Sequence, residues 1–155
     1  MRPGRAVRAA GFTLIEVVVA MVIAAILAAI AIPQYTAYTT RAKRSEAKAV
    51  LAQAAQFMER NYTQAGAYNL DAASGTNPLG ALAALPASIS QAPLSGNPNY
   101  LITLSAVAAQ SYTLSATPVG SPGFTDAECG TLTLDNTGLQ GATGGTLTAP
   151  DCWRR

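Results

Sequence analysis

The chain of 155 residues has no histidine, two cysteines, one tryptophan and only 12 % charged residues. Each scarcity excludes something. Without an imidazole, and with both thiols able to pair with each other, no nucleophile–base couple can be assembled, so enzymatic activity is not expected. Cys129 and Cys152 alone match no zinc-ligand spacing, and neither a metal nor a cofactor is expected. The glycine-rich run Gly141-Ala142-Thr143-Gly144-Gly145 lacks the lysine and the strand-to-helix setting of a phosphate loop.

The formal charge of +2 conceals a split along the chain. Arg2, Arg5 and Arg8 precede the first long apolar run, and Arg41, Lys43, Arg44, Lys48 and Arg60 lie between Pro33 and Arg60. From Asn61 onward stand Asp71, Asp126, Glu128, Asp135 and Asp151 against Arg154 and Arg155 only. A distal part of that balance is a poor start for a polyanion-binding surface, and nucleic acid is not expected as a partner.

What is present in quantity is apolar sequence. Phe12 to Ile32 is broken by a single charge, Glu16. As a helix this run is roughly 31 Å long, enough to cross the hydrocarbon core of a bilayer. Positive charge on both sides leaves the orientation undecided. A Cys129–Cys152 disulfide, the simplest use of two cysteines in a chain with an export-type N-terminus, would put the C-terminal part outside the cytoplasm. The alternative is a pair of buried free thiols. A carboxylate at a membrane-helix centre costs about 2.5–3.5 kcal/mol, so Glu16 needs a partner, or else sits among headgroups. Ala20, Ala24 and Ala28 recur at a spacing that allows close helix approach. Pro33 is expected to kink or loosen the helix without ending it.

Beyond Pro33, helical periodicity continues to about Asn61. Ala47, Val50, Leu51, Ala54, Phe57 and Met58 gather on one face, with Arg44, Lys48 and Glu59 placed away from it. From Tyr62 to Pro98, Gly and Pro are dense and a long loop is expected, with a helical turn at Ala81–Leu85. Tyr100, Ile102, Leu104 and Ala106 then alternate with Leu101, Thr103, Ser105 and Val107, and Tyr112, Leu114 and Ala116 with Thr113, Ser115 and Thr117. Pro118 to Gly123 breaks the pattern. Cys129–Asp135 reads as a third strand, and Asn136-Thr137-Gly138 as a turn into a short fourth. Asp126 and Glu128 read as a solvated loop edge. The expected fold is α+β: a long N-terminal helix packed on a small antiparallel sheet.

Gly11-Phe12-Thr13-Leu14-Ile15-Glu16, followed by uncharged sequence to Ile32 and closed by Pro33, resembles the leader and N-terminal segment of type IV prepilins. The resemblance implies cleavage between Gly11 and Phe12 by a prepilin peptidase, N-methylation of Phe12, and delivery to an inner-membrane assembly platform. It also implies that Glu16 meets the free amine of a neighbouring subunit and sets axial register. Many pilins carry Gly where this chain has Ala25. Met58-Glu59-Arg60-Asn61-Tyr62-Thr63, Tyr112–Pro118, Cys129–Asp135 and Asp151-Cys152-Trp153 together resemble the PilE-type minor pilins.

The implied organisation is a removed leader (1–11), a membrane or filament-core half-helix (12–33) and an amphipathic half (34–62). A connecting loop (63–98) and a sheet with a disulfide-bounded C-terminal region (99–155) complete it. Such a protein would be a single-pass inner-membrane subunit with a periplasmic head, then part of an extracellular pilus. The expected function is that of a minor pilin supporting pilus assembly, twitching motility and adhesion. A major pilin, a type II secretion pseudopilin and a pilus-borne DNA receptor are the alternatives, the acidic distal part counting against the last. A single-span protein with an unrelated periplasmic domain is the remaining one.

Overall fold

A computed structural model of the chain describes residues 11–70 and 85–154; the expected leader up to Ala10 and most of the helical turn expected at Ala81–Leu85 lie outside them. Contacts divide the chain into two compact units, Met1–Tyr38 and Thr39–Arg155.

In the first unit, the described residues from Leu14 onward are helical. Helix α1 (Leu14–Ala65) begins in it and runs through Pro33 without a break. Its start follows from chemistry: Thr13 sits at the cap position and its hydroxyl oxygen accepts the Glu16 backbone N–H at 3.3 Å. With Glu16 three residues after that threonine, the sequence is that of a capping box, and a carboxylate in the first turn also suits the helix dipole. Large apolar side chains of this segment stand open, from Val17 at 42 % to Phe12 at 83 % exposure. The most apolar stretch of α1 is long enough to span a membrane, with a mean hydropathy of 2.9, and none of it is buried.

The second unit, the head, packs the rest of α1 against a sheet. Ala47, Val50, Leu51, Ala54 and Met58 are fully buried, and Phe57 is half-buried at the border of the core. The helix ends three residues later than Tyr62, where Gly66 adopts φ +77° and its N–H bonds Tyr62 O at 2.8 Å, a stop that a side chain would oppose. The region expected to be loop contains a short 3-10 turn, Ala87–Ile89, and a two-residue strand β1 (Gln91–Ala92). Strands β2 (Tyr100–Val107), β3 (Tyr112–Pro118), β4 (Gly130–Asp135) and β5 (Gln140–Gly144) follow, and the five form an antiparallel meander in sequence order. A last short helix, α2 (Ala149–Arg154), holds the C-terminal region.

Two details of the sheet differ from the alternation pattern. The β2–β3 register shifts between Leu104 and Ala106, so Ser105 forms a bulge. One extra residue turns the rest of the strand over: Ala106, expected inside, is exposed, and Val107 packs on the core. Pro118, expected to break the strand, instead ends β3 opposite Tyr100. Tyr100, Ile102, Leu104, Tyr112, Leu114, Ala116 and Leu132 face α1 and close the core.

Candidate functional site

Among the described residues, the chemistry-bearing side chains fall into three places. At the N-terminal end, Gly11, Phe12 and Glu16 stand exposed around the start of α1. Pro33 lies inside the helix, and among the described residues the apolar run between them is not buried.

The second place lies in the head. Arg44 was expected away from the packed face, and Asp126 and Glu128 on a solvated edge; the structure brings all three together. Arg44 is 1 % exposed and Asp126 5 %. Arg44 Nε donates to Asp126 Oδ2 at 2.6 Å, and its Nη2 donates to Asp126 Oδ1 and to Glu128 Oε2, each at 2.7 Å. Glu128 stays largely in solvent, its side chain 57 % exposed. Tyr100 Oη donates to Asp126 Oδ2 at 2.6 Å, and the N–H groups of Glu128 and Cys129 donate to Asp126 Oδ1 at 3.2 and 3.1 Å.

Burial alone would raise the Asp126 carboxyl, but the hydrogen bonds from Arg44, Tyr100 and the Cys129 N–H outweigh it and hold the group below its ordinary range. The bond to Asp126 raises Arg44 further against its own desolvation. Burial, reinforced by the bond to Asp126, pushes the Tyr100 phenol up. By joining α1 to β2 and to the turn before β4, this array fastens structure. The physical reason for the misplacement is that a buried charge is invisible to an apolar stripe unless its counter-charge is known.

Glu59, also expected to point away, is exposed but accepts the hydroxyls of Tyr68 at 2.9 Å and Tyr112 at 3.2 Å. Burial, then Glu59, pushes Tyr68 up to about 12 and Tyr112 higher still.

The third place is the C-terminal corner. Cys129 and Cys152, both fully buried, are joined as a disulfide. Gly130, beside Cys129, has φ +60°, and a side chain there would meet the Thr143 carbonyl, so glycine is required where β4 crosses β5. The disulfide ties α2 to the head, and the Trp153 indole N–H donates to Gly141 O at 2.8 Å. Lys48, half-buried rather than free in solvent, donates from Nζ to Trp153 O at 3.2 Å and lies 5.9 Å from the ring centroid. Burial, then the Arg44 charge, lowers its pKa. Between α2 and the β4–β5 turn opens a cleft of about 330 Å³ lined by Leu139, Gln140, Pro150, Trp153 and Arg154 among others. Leu139 is 70 % exposed there. A larger groove of about 720 Å³, along α1, is lined by Gln53, Gln56, Phe57, Arg60, Pro86 and Ile89 among others. The helix of α2 and the corner it makes escaped sequence reasoning because Ala149-Pro150-Asp151 carries no apolar period; Thr148, whose hydroxyl bonds Asp151 at 2.7 Å, was the available cap signal.

The solved structures similar to this chain include two pilins. One is the non-core minor pilin PilV of Neisseria meningitidis, at 25 % identity over 72 % of this chain and 94 % of that one, with a TM-score of 0.49. The other is a type IV pilin from Shewanella oneidensis, at 27 % identity over 64 % and 88 %, with a TM-score of 0.42. Residues 7–32 match the prokaryotic N-terminal methylation motif. Residues 33–133, well over half of the chain, match the family described as type IV minor pilin ComP, DNA uptake sequence receptor, and to that family of pilins the chain belongs.

Proposed function

We propose that this minor pilin is a DNA-capturing subunit of a type IV pilus. As a pilin it is a structural subunit and not an enzyme. The observation that carries the DNA reading is the family match itself, which spans the head half of α1 and β1 to most of β4. The exclusion of nucleic acid drawn from the charge count does not stand against a family described as a DNA receptor.

Its physical weakness is visible in the geometry. Asp126 is buried and spent on Arg44, and Glu128 shares the same guanidinium. Asp135 is engaged by the Thr137 hydroxyl and by the N–H groups of Thr137 and Leu139. A sum over the sequence therefore overstates the negative charge offered to a ligand.

The C-terminal corner supplies the chemistry that single strands and phosphates require: the exposed guanidinium of Arg154, the half-buried indole of Trp153, the Gln140 amide and the exposed Leu139 around one cleft. This corner lies outside the matched span, and its side chains alone support it. At the other end, Gly11/Phe12 is the cleavage site, Phe12 the methylated residue, and Glu16 the acid that meets a neighbouring subunit's amine. Pro33 loosens the helix, and the open apolar run fits a subunit that leaves the membrane for a filament. The processing enzyme and the assembly platform are the implied partners.

The test is binding of duplex and single-stranded DNA to the full-length protein in detergent micelles, read by fluorescence anisotropy. A few phosphate contacts predict that affinity falls about tenfold between 50 and 200 mM salt, and that Arg154→Ala reduces the salt slope by about one. No binding at 50 mM salt would refute the DNA reading.

A further inference from the structure

We infer that Arg44 and Asp126 are positioning residues for the disulfide: docking of α1 on the head is coupled, through one carboxylate, to the pairing of Cys129 with Cys152. The chain of contacts is continuous. The Arg44 guanidinium grips both oxygens of Asp126 across 82 residues of sequence. The same Asp126 Oδ1 accepts the N–H groups of Glu128 and Cys129, and Asp126 O accepts the Gly130 N–H at 2.8 Å. The turn that carries Cys129 is thus wound around a carboxylate that the helix holds. Tyr100 on β2 fixes the other oxygen at 2.6 Å. Cys152 arrives from α2, separated from Cys129 by 23 residues and anchored by its own N–H on Thr148 O.

The consequence is an effective concentration. With the turn closed, Cys129 is confined beside Cys152 before the bond forms; with Arg44 undocked, the buried carboxylate has no cation and the turn loses its centre. The coupling is reciprocal: whatever the ion pair adds to the pairing of the thiols, the disulfide adds to the docking of Arg44. The oxidised bond therefore records a head whose helix is seated.

The chemistry needs a small disulfide oxidant, for which oxidised glutathione serves. One cysteine thiolate attacks it, forming a mixed disulfide and releasing one glutathione thiolate. The second cysteine thiolate then attacks the protein-side sulfur and releases the other. Two protein thiols become one disulfide, one oxidised glutathione becomes two thiols, and the two protons lost by the protein sulfurs end on the glutathione sulfurs.

The test equilibrates the full chain in detergent micelles across glutathione redox buffers and counts free thiols by maleimide mass shift. Arg44→Met and Asp126→Ala are each expected to lower the oxidation constant by about tenfold or more, the scale of a lost charged hydrogen bond. Asp126→Asn keeps an oxygen for the Cys129 N–H but not the charge, and should fall between wild type and Asp126→Ala. Leu114→Ala removes a core contact on β3 without touching the turn, and should leave the constant within about twofold while the head stays folded by near-ultraviolet circular dichroism. Arg44→Lys, which keeps the charge without the two-point grip, covers the case in which Arg44→Met does not fold. A wild-type constant in Asp126→Ala or Asp126→Asn, or an equal fall in Leu114→Ala, would overturn the inference.

Discussion

Arg44 and Asp126 make the head's stability depend on pH at the acid end, and three tyrosines do so at the alkaline end. Asp126 has its folded pKa depressed, so its contribution is fully present above the ordinary carboxylate value near 4 and is lost as pH falls through the lower folded value. Tyr68, Tyr100 and Tyr112 have theirs raised; the neutral phenol is favoured when folded, so their contribution holds below about 10 and is lost as pH rises toward about 12, the folded value of Tyr68. Thermal unfolding followed by circular dichroism should therefore be flat between about pH 5 and 9, falling below 4 and above 10. Phenolate absorbance of the folded chain should show three of its six tyrosines silent at pH 11. Full titration there without unfolding would refute the buried phenol network. At this scale the sequence was half legible. The apolar stripe was read correctly, yet Ala47, Leu51, Ala54 and Met58 step by three and four, and that same rhythm extends back to Arg44 and on to Asn61, the two buried polar residues of α1. Rhythm alone would have placed Arg44 inward; polarity argued it outward.

Among elements, the sheet and the long helix were legible because alternation and a 3.6-residue period are properties of contiguous sequence. The bulge at Ser105 was not, because it depends on how β2 pairs with β3, and Ala106 was misplaced with it. Strand β1 was missed because its two residues carry no period; its place comes from pairing Gln91 with Leu101. The C-terminal corner rests on its staple. In the chain-entropy model, a loop of 23 residues contributes about 3 kcal/mol. Cys129→Ala with Cys152→Ala should lower the melting temperature by about 10–20 °C, and limited proteolysis should then cut first near α2. Equal protease resistance with and without the bond would show that α2 holds itself.

For the whole molecule, the decisive asymmetry is between a head with a closed core and an apolar helical run that stays open among the described residues. An isolated chain cannot leave that run in water, so lipid or copies of the same segment must cover it. Glu16→Ala should still be cut after Gly11 and inserted in the membrane, yet be missing from sheared pili by immunoblot; normal incorporation would remove the register role. Gly11→Val should accumulate uncut precursor, seen by N-terminal mass spectrometry, and normal processing would dispose of the cleavage site.

The most direct measurement counts fluorescent DNA molecules retained per micrometre of sheared pili from cells carrying the wild-type chain, no chain, or the Trp153→Ala/Arg154→Ala variant at equal incorporation. The account predicts DNA on wild-type filaments, and a loss of at least about tenfold on the other two at unchanged filament number. Equal DNA retention on filaments with and without this subunit would contradict it.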